Sequence, residues 1–286
     1  MALQKMADNE ELGNAAAHFF KSGNVLRAKE NKEVEELKDL LPAKGPNNTN
    51  IEYDLWYSVG NSKQVKGFVY TDSMTNFMYI RPANSFQVRD IMQKAIQYPV
   101  TEEGERLFSY IQQEAKDKYS LKSRKVPEHK FVIFLPGTNI YNKVVDEDKV
   151  KRAIDQGAML KMHPISASGL ELHLNRIYGK DKIINKKLSG HLVLESADIV
   201  GCCSNSEMGL AALCKGKSVY LFDKETDIRT YTAIYEALKV DKGLSVKKFK
   251  SILSCPYSGL VSKYCDNPQD RVNQFFNYFE ELTNVN

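Results

Sequence analysis

Residues 131–223 alternate short apolar runs with helical patterns, and that alternation limits the possible folds more than any other feature of the chain. FVIFL (131–135) reads as a buried strand, followed by a helix over 146–156 and a strand over 158–162. A helix over 167–178, a strand over 182–184, a helix over 187–196 and a strand over 198–202 come next. The helix 206–214 and the strand 218–222 complete the run. Strands separated by helices of this length form βαβ units, so the run predicts an α/β domain built on a parallel sheet. Two of its corners are polar: Lys161-Met162-His163-Pro164 and Ser204-Asn205-Ser206-Glu207. Open α/β sheets bind ligands at such strand-to-helix corners, which makes nucleotide handling the first expectation.

The rest of the chain is organised around this run. With 286 residues the protein suits two modest domains better than one, and 42% hydrophobic with 27% charged residues is ordinary for a globular protein. The lysine-rich stretch 116–130, which contains Pro127 and no apolar periodicity, reads as a linker. The predicted division is an N-terminal acceptor-side domain over 1–120, a linker over 121–130, a Rossmann-like domain over 131–226, and C-terminal helices over 227–286 packing back across the domains. Within the first segment, helical spacing covers 9–20 and 31–41, and strand character appears at 51–59 and 67–71. Asp72 and Ser73 then stand where a helix N-cap is expected, with helices over 85–96 and 101–119. In the tail, Val272, Phe275, Phe276 and Phe279 make one apolar stripe.

Composition narrows the function classes. A formal charge of +4 permits a local phosphate ligand but is modest for a dedicated nucleic-acid module. The five cysteines include the vicinal pair Cys202-Cys203 and no CxxC, so neither a disulfide framework nor a zinc site is signalled. The N-terminus has no apolar core of signal-peptide type and no apolar run reaches ~18 residues, so a cytoplasmic protein without stable membrane insertion is expected.

At the first corner, Lys161 and His163 can meet the phosphates of a leaving group while Pro164 fixes the turn; a histidine that merely hydrogen-bonds within a turn is the bland alternative. At the second, Ser204, Asn205 and Ser206 can donate to phosphate and Glu207 can accept from ribose hydroxyls, although helix capping explains the same residue types. A third corner, Pro136-Gly137-Thr138-Asn139, offers close backbone approach at Gly137, a hydroxyl at Thr138 and a carboxamide at Asn139, and is neither a Walker loop nor GxGxxG.

FVIFLPGTN, KMHP and ADIVGCCSNSEMGLAALCKGKSVYLFD together resemble the nucleotide-binding half of GT-B glycosyltransferases. The resemblance points to the group of bacterial polysialyltransferases, capsule Kdo transferases and teichoic-acid polymerases, and covers about a third of the chain, residues 131–223. It implies two Rossmann-like domains facing a cleft, the first small and irregular. It also implies a nucleotide sugar, UDP- or CMP-linked, as donor substrate with no further cofactor. His163, Pro164, Ser204 and Ser206 match the family positions that hold nucleotide phosphates.

The first domain shows no acidic catalytic motif or His-Gly pair of that group, since its only histidine is His18. Inverting transfer needs a base for the acceptor hydroxyl, and Asp72 is the preferred candidate with Asp54 in reserve. Asp146-Glu147-Asp148 precedes a helical pattern and reads as an acidic helix start, so metal-independent transfer is expected. Arg81, Arg89, Lys94 and Lys122 could meet acceptor phosphates. The leading acceptor expectation is double-stranded DNA carrying 5-hydroxymethylcytosine, by similarity to compact T-even-like phage glycosyltransferases, an arabinosyltransferase among them. The alternatives are a bacterial surface-polysaccharide transferase of sialyl or Kdo type, and a non-catalytic nucleotide-binding protein.

Overall fold

The computed structural model describes residues 36–53, 67–74, 77–114, 127–164, 166–203, 206–224 and 233–284. In chain order the strands and helices begin with β1 (Asn50–Tyr53), β2 (Gly67–Met74), β3 (Phe77–Pro82), α1 (Ser85–Ala95) and α2 (Glu102–Glu114). There follow β4 (Phe131–Phe134), α3 (Thr138–Val144), α4 (Glu147–Asp155), β5 (Met159–Lys161), α5 (Ser168–Tyr178) and β6 (Ile183–Ile184). Next are α6 (Gly190–Ser196), β7 (Ile199–Cys202), α7 (Met208–Cys214) and β8 (Val219–Leu221). The tail holds α8 (Ala233–Asp241), β9 (Gly243–Leu244), α9 (Val246–Ser254), β10 (Leu260–Val261) and α10 (Pro268–Asn284). The α/β class expected from the alternation is the class observed.

The chain divides into two compact units, one containing the described residues 127–224 and the other containing 36–114 together with 233–284. In the first, the order β6-β5-β4-β7-β8 is parallel throughout. Val132, Ile133, Leu160, Val200 and Val219 are fully buried, as strands covered on both faces require. From β4 the chain steps outward through β5 to β6, then returns to lay β7 on the other side of β4. This is the 3-2-1-4-5 part of the Rossmann strand order, with its reversal between β4 and β7. Gly201 is needed inside that sheet, because an added Cβ would lie 2.6 Å from the Phe222 ring.

In the second unit β1 pairs parallel with β2, while β3 is antiparallel to both β2 and β10. Phe68 on β2 meets Phe275, Phe276 and Phe279 of α10 edge-on, at centroid distances of 5.9, 5.1 and 4.6 Å, so the apolar stripe read from the tail packs on this sheet. One expectation is corrected here. Asp72 and Ser73 do not cap a helix but lie within β2, where Asp72 registers with Met78 across an irregular stretch of the ladder. The mostly helical tail also carries the two-residue strands β9 and β10.

Candidate functional site

The polar corners fall at the carboxyl ends of three adjacent strands, β5, β4 and β7. Main-chain bonds continue the ladder past the strand ends: the Leu135 N–H donates to the Lys161 carbonyl at 3.0 Å, and the Cys203 N–H to the Phe134 carbonyl at 3.2 Å. The chain therefore leaves the sheet side by side after Phe134, Lys161 and Cys202. The first and last of these exits flank the β4/β7 reversal, where the backbone diverges and opens a crevice in sheets of this order.

After β4, Gly137 is the buried residue preceding α3, with an ordinary φ of −64°, and Asn139 is the second residue of the helix. Thr138 is 4% exposed, and its Oγ1 accepts from the Ala167 N–H at 2.9 Å, tying this corner to the one after β5. At that neighbouring corner, His163 and Pro164 are half-buried, and the His163 carbonyl accepts from the Ser166 N–H at 3.0 Å. Lys161 differs from its expected role. It is 2% exposed and donates to the carbonyls of Met162 at 2.9 Å and Lys186 at 3.3 Å. Buried, with two of its three N–H donors on these carbonyls, Lys161 is part of the frame beneath the corner.

After β7, Ser204 and Asn205 lie outside the described residues. The Ser206 hydroxyl accepts from the Met208 N–H at 3.3 Å, which is capping geometry, and Glu207 is exposed at the N-cap position of α7. The floor beneath is buried. Cys203 has 0% and Asp223 3% exposure, and burial, reinforced by the Asp223 charge, pushes the Cys203 thiol well above its ordinary range. Lys149 donates to the Asp223 carbonyl at 2.7 Å and also contacts Asp146 at 3.4 Å. Asp146 caps α4 by accepting from the Lys149 N–H at 3.0 Å. Burial works against the Asp146 carboxylate, but that bond and the Lys149 charge prevail and hold its pKa below the usual value. Among the described residues no group of three His, Cys, Asp or Glu side chains is placed to hold a metal.

No protein-family model and no curated protein matches the chain. Among solved structures it is similar to Thermosulfurimonas dismutans KpsC, a beta Kdo 2,7 transferase, at 15% identity and a TM-score of 0.41, over 87% of this chain and 91% of that one.

The acceptor-side expectations fare unevenly. Arg81 is corrected: β3 is buried along its length, Arg81 is 1% exposed, and its Nη2 lies 3.1 Å from Glu236 Oε1 of α8. It cannot meet an external phosphate from there. The contact is ionic without hydrogen-bond geometry; among the described residues Nε and Nη1 lack a partner of good hydrogen-bond geometry, although the Tyr79 phenol lies beside the guanidinium. Burial pushes the neighbouring Tyr79 phenol far above its usual pKa, and the Glu236 charge adds to the rise. Arg89 is exposed on α1, while Lys94, in the last turn, lies 5.0 Å from the centroid of the Tyr278 ring. Lys94 also lines a shallow cavity of about 590 Å³ with Gln93, Gln97, Asp241 and Lys248. Asp54 and Lys122 lie outside the described residues, and Asp72 is placed by its backbone in β2.

Sequence reading missed Lys186, whose ammonium donates to the Ser166 carbonyl at 2.9 Å and pairs with Glu171 at 3.3 Å. Its only sequence signal is a cation following a short strand.

Proposed function

We propose that this protein is a glycosyltransferase that moves a sugar from a UDP- or CMP-linked donor to a saccharide hydroxyl, without a metal and with inversion. The observation carrying this reading is the β6-β5-β4-β7-β8 order, with polar corners after β4 and β7 flanking the reversal and a third after β5 beside them. The leaving group of such a reaction is a phosphate gaining negative charge. His163 supplies a donor to it from the corner after β5, with Pro164 setting the turn. In this reading Gly137, Thr138 and Asn139 serve the donor phosphates from the corner after β4 and Ser206 from the corner after β7, with Glu207 suited to ribose hydroxyls; Ser204 and Asn205 are assigned to the same phosphates from their sequence position alone. Asp72, with Asp54 in reserve, takes the acceptor proton as the phosphate departs.

A saccharide acceptor is preferred to hydroxymethylated DNA because Arg81, one of the cations assigned to DNA phosphates, is buried against Glu236. Incubation with a panel of nucleotide sugars, oligosaccharides and hydroxymethylated DNA, followed by measurement of nucleotide release and product mass, tests the reading. His163→Ala should lower turnover by about two orders of magnitude or more, the scale of losing one charge-stabilising donor. Near-normal turnover by the folded variant would remove His163 from the site. A raised melting temperature with nucleotide, but neither transfer nor hydrolysis with any donor, would favour a non-catalytic binding protein.

A further inference from the structure

The turn after β6 holds the His163 corner from both ends. On the entry side, the Lys186 carbonyl accepts from Lys161 Nζ at 3.3 Å, and the same ammonium donates to the Met162 carbonyl at 2.9 Å. On the exit side, the Lys186 ammonium donates to the Ser166 carbonyl at 2.9 Å. The carbonyls before and after His163 are thus each held by a lysine, and both connections meet at residue 186. Two further bonds close the corner, from the Ser166 N–H to the His163 carbonyl and from the Ala167 N–H to Thr138 Oγ1. Ser166 is 4% exposed and the Lys186 side chain 21%, so the bond between them is shielded from competing water.

The geometry points to Lys186 as a positioning residue of this corner, its ammonium fixing the backbone at Ser166 after His163 while its carbonyl helps seat the Lys161 ammonium that holds Met162 before it, so that the imidazole meets a phosphate already oriented. The inference rests on the nucleotide-sugar reading above. A group held in place before the ligand arrives loses less freedom on binding, and outer partners that orient metal ligands carry about a 10- to 100-fold effect, the scale taken here by analogy. The competing explanation is that Lys186 only secures α5 through Glu171. Removing Glu171 separates the two, because the bond to the Ser166 carbonyl does not depend on it.

The test compares Lys186→Met, Lys186→Arg and Glu171→Gln with the unmodified protein. It combines hydrogen exchange at the His163, Ser166 and Ala167 amides, calorimetric affinity for CMP and UDP, and thermal melting. Lys186→Met should accelerate exchange at these amides and weaken nucleotide binding by about tenfold. Lys186→Arg should restore most of both, and Glu171→Gln should leave both near the original. Unchanged exchange and affinity in Lys186→Met would overturn the inference, as would an equal loss in Glu171→Gln. If Lys186→Met does not fold, Lys186→Gln is read against the same criteria. Should the unmodified protein bind neither nucleotide, the functional reading fails, and the exchange measurement alone decides whether Lys186 positions the corner.

Discussion

Several lysine side chains in the parallel-sheet unit are engaged with the main chain. Lys149, Lys161, Lys186, Lys217 and Lys224 each donate to at least one main-chain carbonyl. Lys217 closes the end of α6, donating to Leu194 at 2.7 Å, to Glu195 at 3.2 Å and to Ala197. Sequence shows a cation but not whether its ammonium faces solvent or a helix end, which is why Lys161 and Arg81 were assigned to ligands. For Arg81 the energetic consequence is direct. Glu236→Gln should destabilise the protein by about 3–5 kcal/mol in chemical denaturation, because it leaves a buried guanidinium without its counter-charge. The double change Arg81→Met with Glu236→Leu should recover most of that loss. Equal losses in the single and double variants would show that the pair does not act as a unit.

Among the elements, the β4 to β8 run was legible because each strand is a short apolar block and each helix has its own period. The corners were legible for the same reason, since a polar residue just after such a block has nowhere to sit but the sheet's carboxyl edge. The four-stranded sheet was harder to read. β3, FMYIRP, carries an arginine that the pattern places outside but the fold buries, and β10 is two residues long. Pairing of β3 with β10 instead depends on Gly259, a residue with no pattern to announce it. Its φ is +82°, its carbonyl accepts from the Ile80 N–H at 2.8 Å, and an added Cβ would lie 1.9 Å from the Ile80 oxygen. Gly259→Ala should therefore cost at least about 2 kcal/mol, from backbone strain before the clash is counted. A midpoint shift of less than a few tenths of a kcal/mol in urea would show that this turn relaxes.

Over the whole molecule, a formal charge of +4 is small for a nucleic-acid binder. Non-specific affinity for duplex DNA scales with the phosphates that exposed cations can neutralise. Fluorescence anisotropy at physiological salt should accordingly detect no micromolar binding to a labelled duplex. Tight binding that weakens steeply with salt would return hydroxymethylated DNA to the leading acceptor.

Residues 36–114 and 233–284 form one unit, with 127–224 falling between them in the chain. During synthesis the middle segment emerges with β4 to β8 in hand, whereas β3 must wait for β10 and Phe68 for the α10 phenylalanines. The parallel-sheet unit can thus close on itself as it is made, while β1, β2 and β3 hold an unfinished core until α10 follows.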